Sequence, residues 1–238
     1  MTDEVERLLA EQIRYYRARA PEYDEWWMRQ GHWDLGPVHN QRWLAEIDRV
    51  NAFLDAFAPR GHVLDIGAGT GLWTVRLAEY AERITALDPS PEALERNAER
   101  LAPTGTPVDY VEADVFSWRP PKRYDVVFFS FWLSHVPMAR FDEFWSIVDA
   151  ALAPGGRVFF LDNATPERQA LGLEPGILSR TDRDVGVSLR RLNDGREFRA
   201  VKVYWEPAEL MTRLASLRWA MDIAVTEWAF IYGSGGRA

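Results

Sequence analysis

His62-Val63-Leu64-Asp65-Ile66-Gly67-Ala68-Gly69-Thr70-Gly71-Leu72-Trp73 decides the fold of this 238-residue chain. Val63, Leu64 and Ile66 make the short apolar run that ends a buried parallel strand. Three alternating glycines then let the backbone turn tightly toward a helix beginning near Leu72. Strand, glycine turn and helix open a nucleotide-type βαβ unit. The spacing is Gly-x-Gly-x-Gly, one residue short of the dinucleotide fingerprint Gly-x-Gly-x-x-Gly. Asp65, just ahead of the turn, points away from a dinucleotide too, because its charge opposes a pyrophosphate and attracts a ligand with an ammonium group.

Outward from the turn, acids recur at strand ends. Residues 84–87 read as a second strand ending at Asp88, about 20 residues after Gly67, where a nucleotide-binding unit places the acid that accepts hydrogen bonds from ribose hydroxyls. Ser90 and Pro91 supply the cap and first residue of a helix over 91–101, which leaves Asp88 free for that role. A third strand is predicted over 108–112, with Asp114 and Val115 beyond it. Residues 124–129 form a continuous apolar run, as expected of a central strand buried on both faces. Its exit reads Ser130-Phe131-Trp132-Leu133-Ser134-His135-Val136-Pro137, and at the centre of an open α/β sheet such an exit gathers reacting groups. A helix over about 140–152 then leads through Pro154-Gly155-Gly156 into a fifth strand over 157–162.

Val63 to Gly71, Asp88, Asp114 and Leu152-Ala153-Pro154-Gly155-Gly156 together resemble the class I S-adenosylmethionine-dependent methyltransferases, over most of the chain. The resemblance implies an α/β, Rossmann-like seven-stranded sheet, mostly parallel with an antiparallel edge strand, carrying an N-terminal helical lid and an inserted β-hairpin. It implies S-adenosyl-L-methionine as cofactor and S-adenosyl-L-homocysteine as product. Expected cofactor contacts are Asp65, Gly67, Gly69, Thr70, Gly71 and Trp73 around the turn, Asp88 and Pro89 at the ribose, and Ser130 at the fourth strand's exit. Asp114 and Val115 are expected at the adenine, although an acid after a strand is also an ordinary solvated loop residue. Tyr15 and Arg19 are expected from the lid.

A single methyltransferase domain over 1–238 is predicted, divided into a helical lid (1–58), a cofactor-binding core (59–162), an insertion with a hairpin (163–205), and a C-terminal helix with edge strands (206–238). Val5, Leu8, Leu9, Ile13 and Tyr16 fall on one side of a first helix that Pro21 ends. Residues 15–24 resemble the lid of small-molecule methyltransferases, where tyrosine and arginine close over cofactor and substrate; the same residues also suit a simply docked helix. A second helix is predicted over 40–57. Residues 163–185 are polar and broken by proline and glycine, as in an insertion above the active site. Segments 187–192 and 197–205 alternate around Asn193-Asp194-Gly195, a hairpin signal, and an exposed hairpin over 187–205 can pair subunits into a homo-oligomer. A helix over 206–216, antiparallel edge strands over 218–225 and 227–232, and a loose tail over 233–238 complete the chain.

The net charge of -8 and the lack of a long basic run argue against nucleic acid as a partner. Without cysteine there is no disulfide frame and no thiol nucleophile. An acidic start, Met1-Thr2-Asp3-Glu4-Val5-Glu6, and no apolar run near the roughly 20 residues a membrane helix needs predict a cytoplasmic protein without membrane contact. Four of the eleven tryptophans, Trp26, Trp27, Trp33 and Trp43, precede the first strand, which suits an aromatic wall, a subunit contact or ordinary core filling.

The family's cofactor carries an electrophilic methyl group, so the protein aligns a nucleophile and excludes water. His135, with Tyr16 and Tyr23, is the catalytic candidate: a base, a donor to an anionic substrate, or a structural histidine. Trp26, Trp132, Arg180 and Arg183 are candidates for a substrate pocket with aromatic walls and a cationic end. Asp162-Asn163 is similar to the acid-amide pair of magnesium-dependent catechol methyltransferases. Ser130, Phe131 and Trp132 stand where those enzymes need a further carboxylate, so no metal is predicted. The N-terminal pattern and the run 132–137 look like bacterial natural-product methyltransferases, including those that esterify small phosphonates. The expected function is direct SN2 O-methylation of a small anionic or polar acceptor in bacterial secondary metabolism. The alternatives are N- or C-methylation, or a non-catalytic module that binds the cofactor.

Overall fold

The computed structural model describes residues 2–170, 181–182 and 186–238. Three helices precede the first strand: α1 (Thr2–Arg19), α2 (Tyr23–Met28) and α3 (Pro37–Phe57). The alternating core follows as β1 (Gly61–Ile66), α4 (Thr74–Leu77), β2 (Ala81–Asp88), α5 (Pro91–Leu101), β3 (Val108–Glu112), β4 (Tyr124–Ser130), α6 (Phe141–Ala151) and β5 (Leu152–Asn163). Then come α7 (Pro166–Ala170), the strands β6 (Thr181–Asp182), β7 (Val187–Arg191) and β8 (Glu197–Val201), and finally α8 (Pro207–Ser216), β9 (Trp219–Val225) and β10 (Phe230–Arg237).

Seven strands form one sheet in the order β3-β2-β1-β4-β5-β10-β9, and β10 alone runs against the others. This is the expected Rossmann-like, mostly parallel seven-stranded sheet, with β10 as the antiparallel strand one place in from the edge. The strand order reverses at β1, whose Val63–Ile66 stretch pairs with Val126–Phe129 of β4, so the carboxyl ends of these two strands open the crevice where ligands bind in such sheets. Alternation along β4 and β5 feeds two cores. Val127, Phe129 and Phe160 meet Phe144 and Trp145 of α6 on one face. On the other, Val126, Phe128 and Phe159 share a cluster with Trp43 and Leu54 of α3.

Several predicted boundaries shift. α3 begins at Pro37, earlier than expected, because proline suits the first turn of a helix. The helix after the glycine turn is a single turn, Thr74–Leu77, since β2 already starts at Ala81 to pair with Gly61. Pro154-Gly155-Gly156 lies inside β5, which starts at Leu152. The largest correction concerns residues 233–238, predicted as a loose tail: Gly233–Arg237 instead complete β10, with Gly233–Gly235 paired on both sides and Gly236 and Arg237 paired to β9. Glycine there answers crowding, for a Cβ on Gly233 would lie 2.5 Å from the Phe160 ring and one on Gly235 2.0 Å from the Ala220 carbonyl oxygen.

β6, β7 and β8 form a separate antiparallel sheet, with the β7–β8 hairpin closing at Asn193-Asp194-Gly195 as predicted, although β8 ends at Val201. The outer edge of β8 is taken up within the chain. Glu11 accepts the Arg199 N–H at 2.6 Å, Gln12 accepts the Val201 N–H at 3.0 Å, and His135 Nδ1 lies 2.6 Å from the Val201 carbonyl. These contacts tie the β8 edge to α1 and to the loop after β4 at Arg199 and Val201. Among the described residues, no helix is long and apolar enough to cross a membrane.

Candidate active site

Gly67 and Gly69 hold positive φ of 69° and 53°, and the N–H groups of Gly67 and Ala68 both donate to the Leu87 carbonyl, folding the turn across the end of β2. Asp88 completes this junction. Its carboxylate accepts the Gly69 N–H at 2.9 Å and the Ser90 N–H at 2.8 Å. Burial pushes its pKa up to about 6 against those two hydrogen bonds. Asp65 lies deeper, 1% exposed. One oxygen accepts the Thr74 hydroxyl at 2.7 Å and the other has no partner among the described residues. Burial raises it further, to about 7, and the nearby Asp88 charge adds to the effect.

Beyond the turn lies a cavity of about 600 Å³. Gly67, Gly69, Thr70, Asp88, Pro89 and Ser90 form its floor, Ser130, Phe131, Trp132 and His135 one wall, and Tyr16, Ala20, Tyr23 and Gln12 the N-terminal side. A smaller cavity of about 310 Å³ continues across the turn, shares Tyr23 and Ser130, and adds Trp26, Trp27 and Trp73. A groove of about 1000 Å³ lies elsewhere, between Arg123, Arg157 and Arg237 at the opposite end of the sheet. Each of those arginines already bonds a carbonyl or a carboxylate, at Leu152, Ala58 and Asp149 respectively.

His135 is fixed on both ring nitrogens. Nδ1 donates to the Val201 carbonyl at 2.6 Å, which leaves Nε2 to accept the Tyr16 hydroxyl at 2.7 Å. Gln12 closes a ring: it donates to the His135 carbonyl at 3.3 Å and accepts the Val201 N–H, so α1, the loop after β4 and strand β8 each give and take one bond. Burial, then the positive charges of Lys202 and Arg190, hold the His135 pKa well below the usual imidazole value, so the ring is neutral. Tyr16 is pushed up by burial and also feels Arg19 and Arg190. Lys202 is 3% exposed and donates to the Ser134 hydroxyl at 2.7 Å, with Asp162 at 3.7 Å. Burial brings its pKa down to about 8. Asp162 itself accepts the Ser134 and Asn163 N–H groups. The ammonium of Lys202 thus lies beside the acid-amide pair.

The predicted residues divide between cavity and surroundings. Tyr16, Tyr23, Gly67, Gly69, Thr70, Asp88, Pro89, Ser130, Trp132 and His135 meet at the larger cavity, and Trp26 and Trp73 at the smaller one. Asp65 sits behind the turn, and Gly71 packs on Asn97, where a Cβ would fall 2.9 Å from the amide carbon. Asp114 caps its own loop through the Phe116 N–H, Val115 is buried in the core, and Tyr15 packs with Leu192 and Ala200 of the hairpin; none lines either cavity. Arg19 lies over the Tyr15 and Tyr23 rings. Arg180 and Arg183 lie outside the described residues. Sequence reasoning missed Gln12, Asp24, Arg100, Arg190 and Lys202. Only Lys202 left a trace, as a charge within the apolar alternation Val201-Lys202-Val203.

The cavity suits S-adenosylmethionine: glycine backbone on one side, the buried carboxylate of Asp88 in its lining for hydroxyls, Asp65 behind the turn, and aromatic walls beyond. Comparison with known proteins agrees. A family described as a methyltransferase domain matches residues 63–156. The solved DhpI-SAM-HEP complex superposes with a TM-score of 0.75 at 36% identity, covering 95% of this chain and 96% of that one. The DhpI-SAH complex gives 0.74 at 35% identity, covering 97% of each. Among curated proteins, a ubiquinone biosynthesis O-methyltransferase from Proteus mirabilis is 32% identical over 140 residues, 57% of this chain. A trans-aconitate 2-methyltransferase from Streptomyces avermitilis is 36% identical over 123 residues, 47% of this chain. These matches span only about half of those two enzymes, 54% and 45% of their lengths.

Proposed function

The chain belongs to the S-adenosylmethionine-dependent methyltransferases, and we propose that it transfers the methyl group to an oxygen of a small acceptor that arrives already anionic. The single observation that carries this reading is the state of His135, whose two nitrogens are both engaged and whose surroundings of Lys202, Arg190 and Arg19 oppose its protonation. A base must accept a proton, and this imidazole is arranged not to. An acceptor with its charge already in place, a phosphonate or a carboxylate, needs no base and is drawn by the same cations. DhpI, at 36% identity, is consistent with this choice through its complex with SAM and HEP.

Bound S-adenosylmethionine supplies a methyl group on a positively charged sulfur. On this reading Gly67, Gly69 and Asp88 hold it at the turn, with Asp65 behind them attracting its ammonium group. The Tyr16 hydroxyl gives its proton to His135, so Tyr16 lines the cavity without a free donor. The field of Arg19, Arg190 and Lys202 holds the acceptor's charge, leaving one oxygen free to attack in line. Phe131, Trp132 and Tyr23 keep water away, which favours a step in which opposite charges cancel. The reading involves no metal and no covalent enzyme intermediate.

The test is a panel of small phosphonates, carboxylates, phenols and amines offered with the cofactor, with products identified by mass spectrometry. Methyl esters of the acids are expected, and from roughly pH 6 to 8 the turnover rate at saturation should follow the same profile in wild type and in His135→Asn. Products methylated on nitrogen or carbon, or a turnover limb in that range that disappears in His135→Asn, would overturn it.

A further inference from the structure

The N-terminal segment is fastened at two points on either side of the cofactor cavity. Near the end of α1, Arg17 donates to the Pro89 carbonyl through Nε at 3.0 Å and Nη2 at 2.7 Å, and pairs with Glu112 at 2.9 Å. At the start of α2, Asp24 accepts the Thr70 hydroxyl at 2.6 Å and pairs with Arg100, which also donates to the Thr70 carbonyl at 2.7 Å. Between the two fastenings the chain arches over the cavity, with Ala20 and Tyr23 on its inner side. Asp24 and Arg100 do not line the cavity, whereas Thr70 belongs to the glycine turn and does.

We propose that Asp24, Thr70 and Arg100 form a clasp that closes this strap over the bound cofactor and sets how fast the homocysteine product leaves. The inference rests on the cofactor lying against the glycine turn. Asp24 and Arg100 are positioning residues, acting through Thr70 and Tyr23. Two features suit them to opening in each cycle. No residue of α2 is fully buried: Trp26 and Trp27 rest on Trp43, Phe131 and Trp73 but stay partly exposed, so the strap opens by breaking these edge contacts together with the polar ones. Both members of the ion pair are 27% exposed, within reach of water and salt. One partner of the clasp is a residue of the turn itself, so a ligand that orders the turn also orders the latch.

The test follows release of S-adenosylhomocysteine by stopped-flow tryptophan fluorescence, with Trp26, Trp27 and Trp73 beside the site as reporters. Asp24→Asn and Arg100→Gln should each speed release by about 5- to 10-fold, and the double variant no more than either single one. Wild-type release should quicken with added NaCl and that of the variants should not, while the melting temperature without ligand stays within a few degrees. Release rates and salt dependence unchanged from wild type, or altered only alongside a large loss of melting temperature, would overturn the clasp. Asp88→Ala is the control for the underlying placement. Weakened equilibrium binding in that variant upholds the cofactor on the turn even where the clasp fails, and unchanged binding overturns both.

Discussion

Replacing Lys202 by methionine should stabilise the fold and weaken acceptor binding together. The side chain is 3% exposed, and its pKa falls from 10.5 to about 8, so keeping it charged at neutral pH costs the folded state about 3 kcal/mol. Methionine fills a similar volume without that penalty. The Asp162 attraction at 3.7 Å is already contained in that lowered pKa, so what stands against the gain is the buried Ser134 hydroxyl, which loses its Lys202 donor at 2.7 Å, an offset of about 1–2 kcal/mol. The net expectation is about 1–2 kcal/mol of added stability, or roughly 2–8 °C in melting temperature for a domain of this size. Thermal denaturation at pH 7 reads it directly. A pH series adds a signature: the unfolded chain holds the lysine proton up to pH 10.5, whereas the folded one releases it near 8. Wild-type stability should therefore rise with pH across that window relative to the variant. In steady-state assays the acceptor KM should rise about 10-fold with cofactor affinity unchanged. A variant that melts below wild type with unaltered acceptor kinetics would refute both the energetic bookkeeping and the electrostatic role.

Two further perturbations probe the frame. Gly235→Ala should cost more than about 2 kcal/mol in chemical denaturation, because the added methyl would lie 2.0 Å from the Ala220 carbonyl oxygen, on backbone that cannot step aside; Gly236→Ala, with 3.2 Å to the nearest atom, should be milder. Glu46 is fully buried and accepts the Thr226 hydroxyl and the Trp228 and Ala229 N–H groups, besides pairing with Arg49. Glu46→Ala should therefore lose about 3–5 kcal/mol by stranding those donors. Burial raises the Glu46 pKa but the hydrogen bonds outweigh it, leaving a net lowering. The stability it supplies should then persist above the ordinary glutamate range and fade as pH drops through the lowered value, which acid titration of wild type against Glu46→Gln would detect.

What was legible in the sequence was whatever repeats with the period of a single element. The apolar run from Tyr124, the glycine turn, the Ser90-Pro91 helix start and the Asn193-Asp194-Gly195 hairpin each carry their own signal and fall where expected. β10 was misread because its glycines look loose in one dimension, whereas Phe160 and Ala220 beside them leave no room for side chains. Asp88, His135, Tyr16 and Tyr23 were visible as chemistry at strand ends and in a tyrosine-rich segment, and they do share a cavity. Asp24 and Arg100 were not: polar residues 76 positions apart, in helices of ordinary composition, give no pattern until the chain brings them together. Lys202 and Gln12 escaped for the same reason, since their partners lie on other elements.

The placement of α1 also orders events during synthesis. It leaves the ribosome early, yet Glu11 finds its partner Arg199 only 188 residues later, and Gln12 and Tyr16 wait for Val201 and His135. The sheet from β1 to β5 can pair while the chain is still growing, but the enclosure over the cavity cannot, because contacts so distant in sequence are slow to close. Until β8 has followed, a growing chain therefore exposes an open crevice and an unattached amphipathic helix.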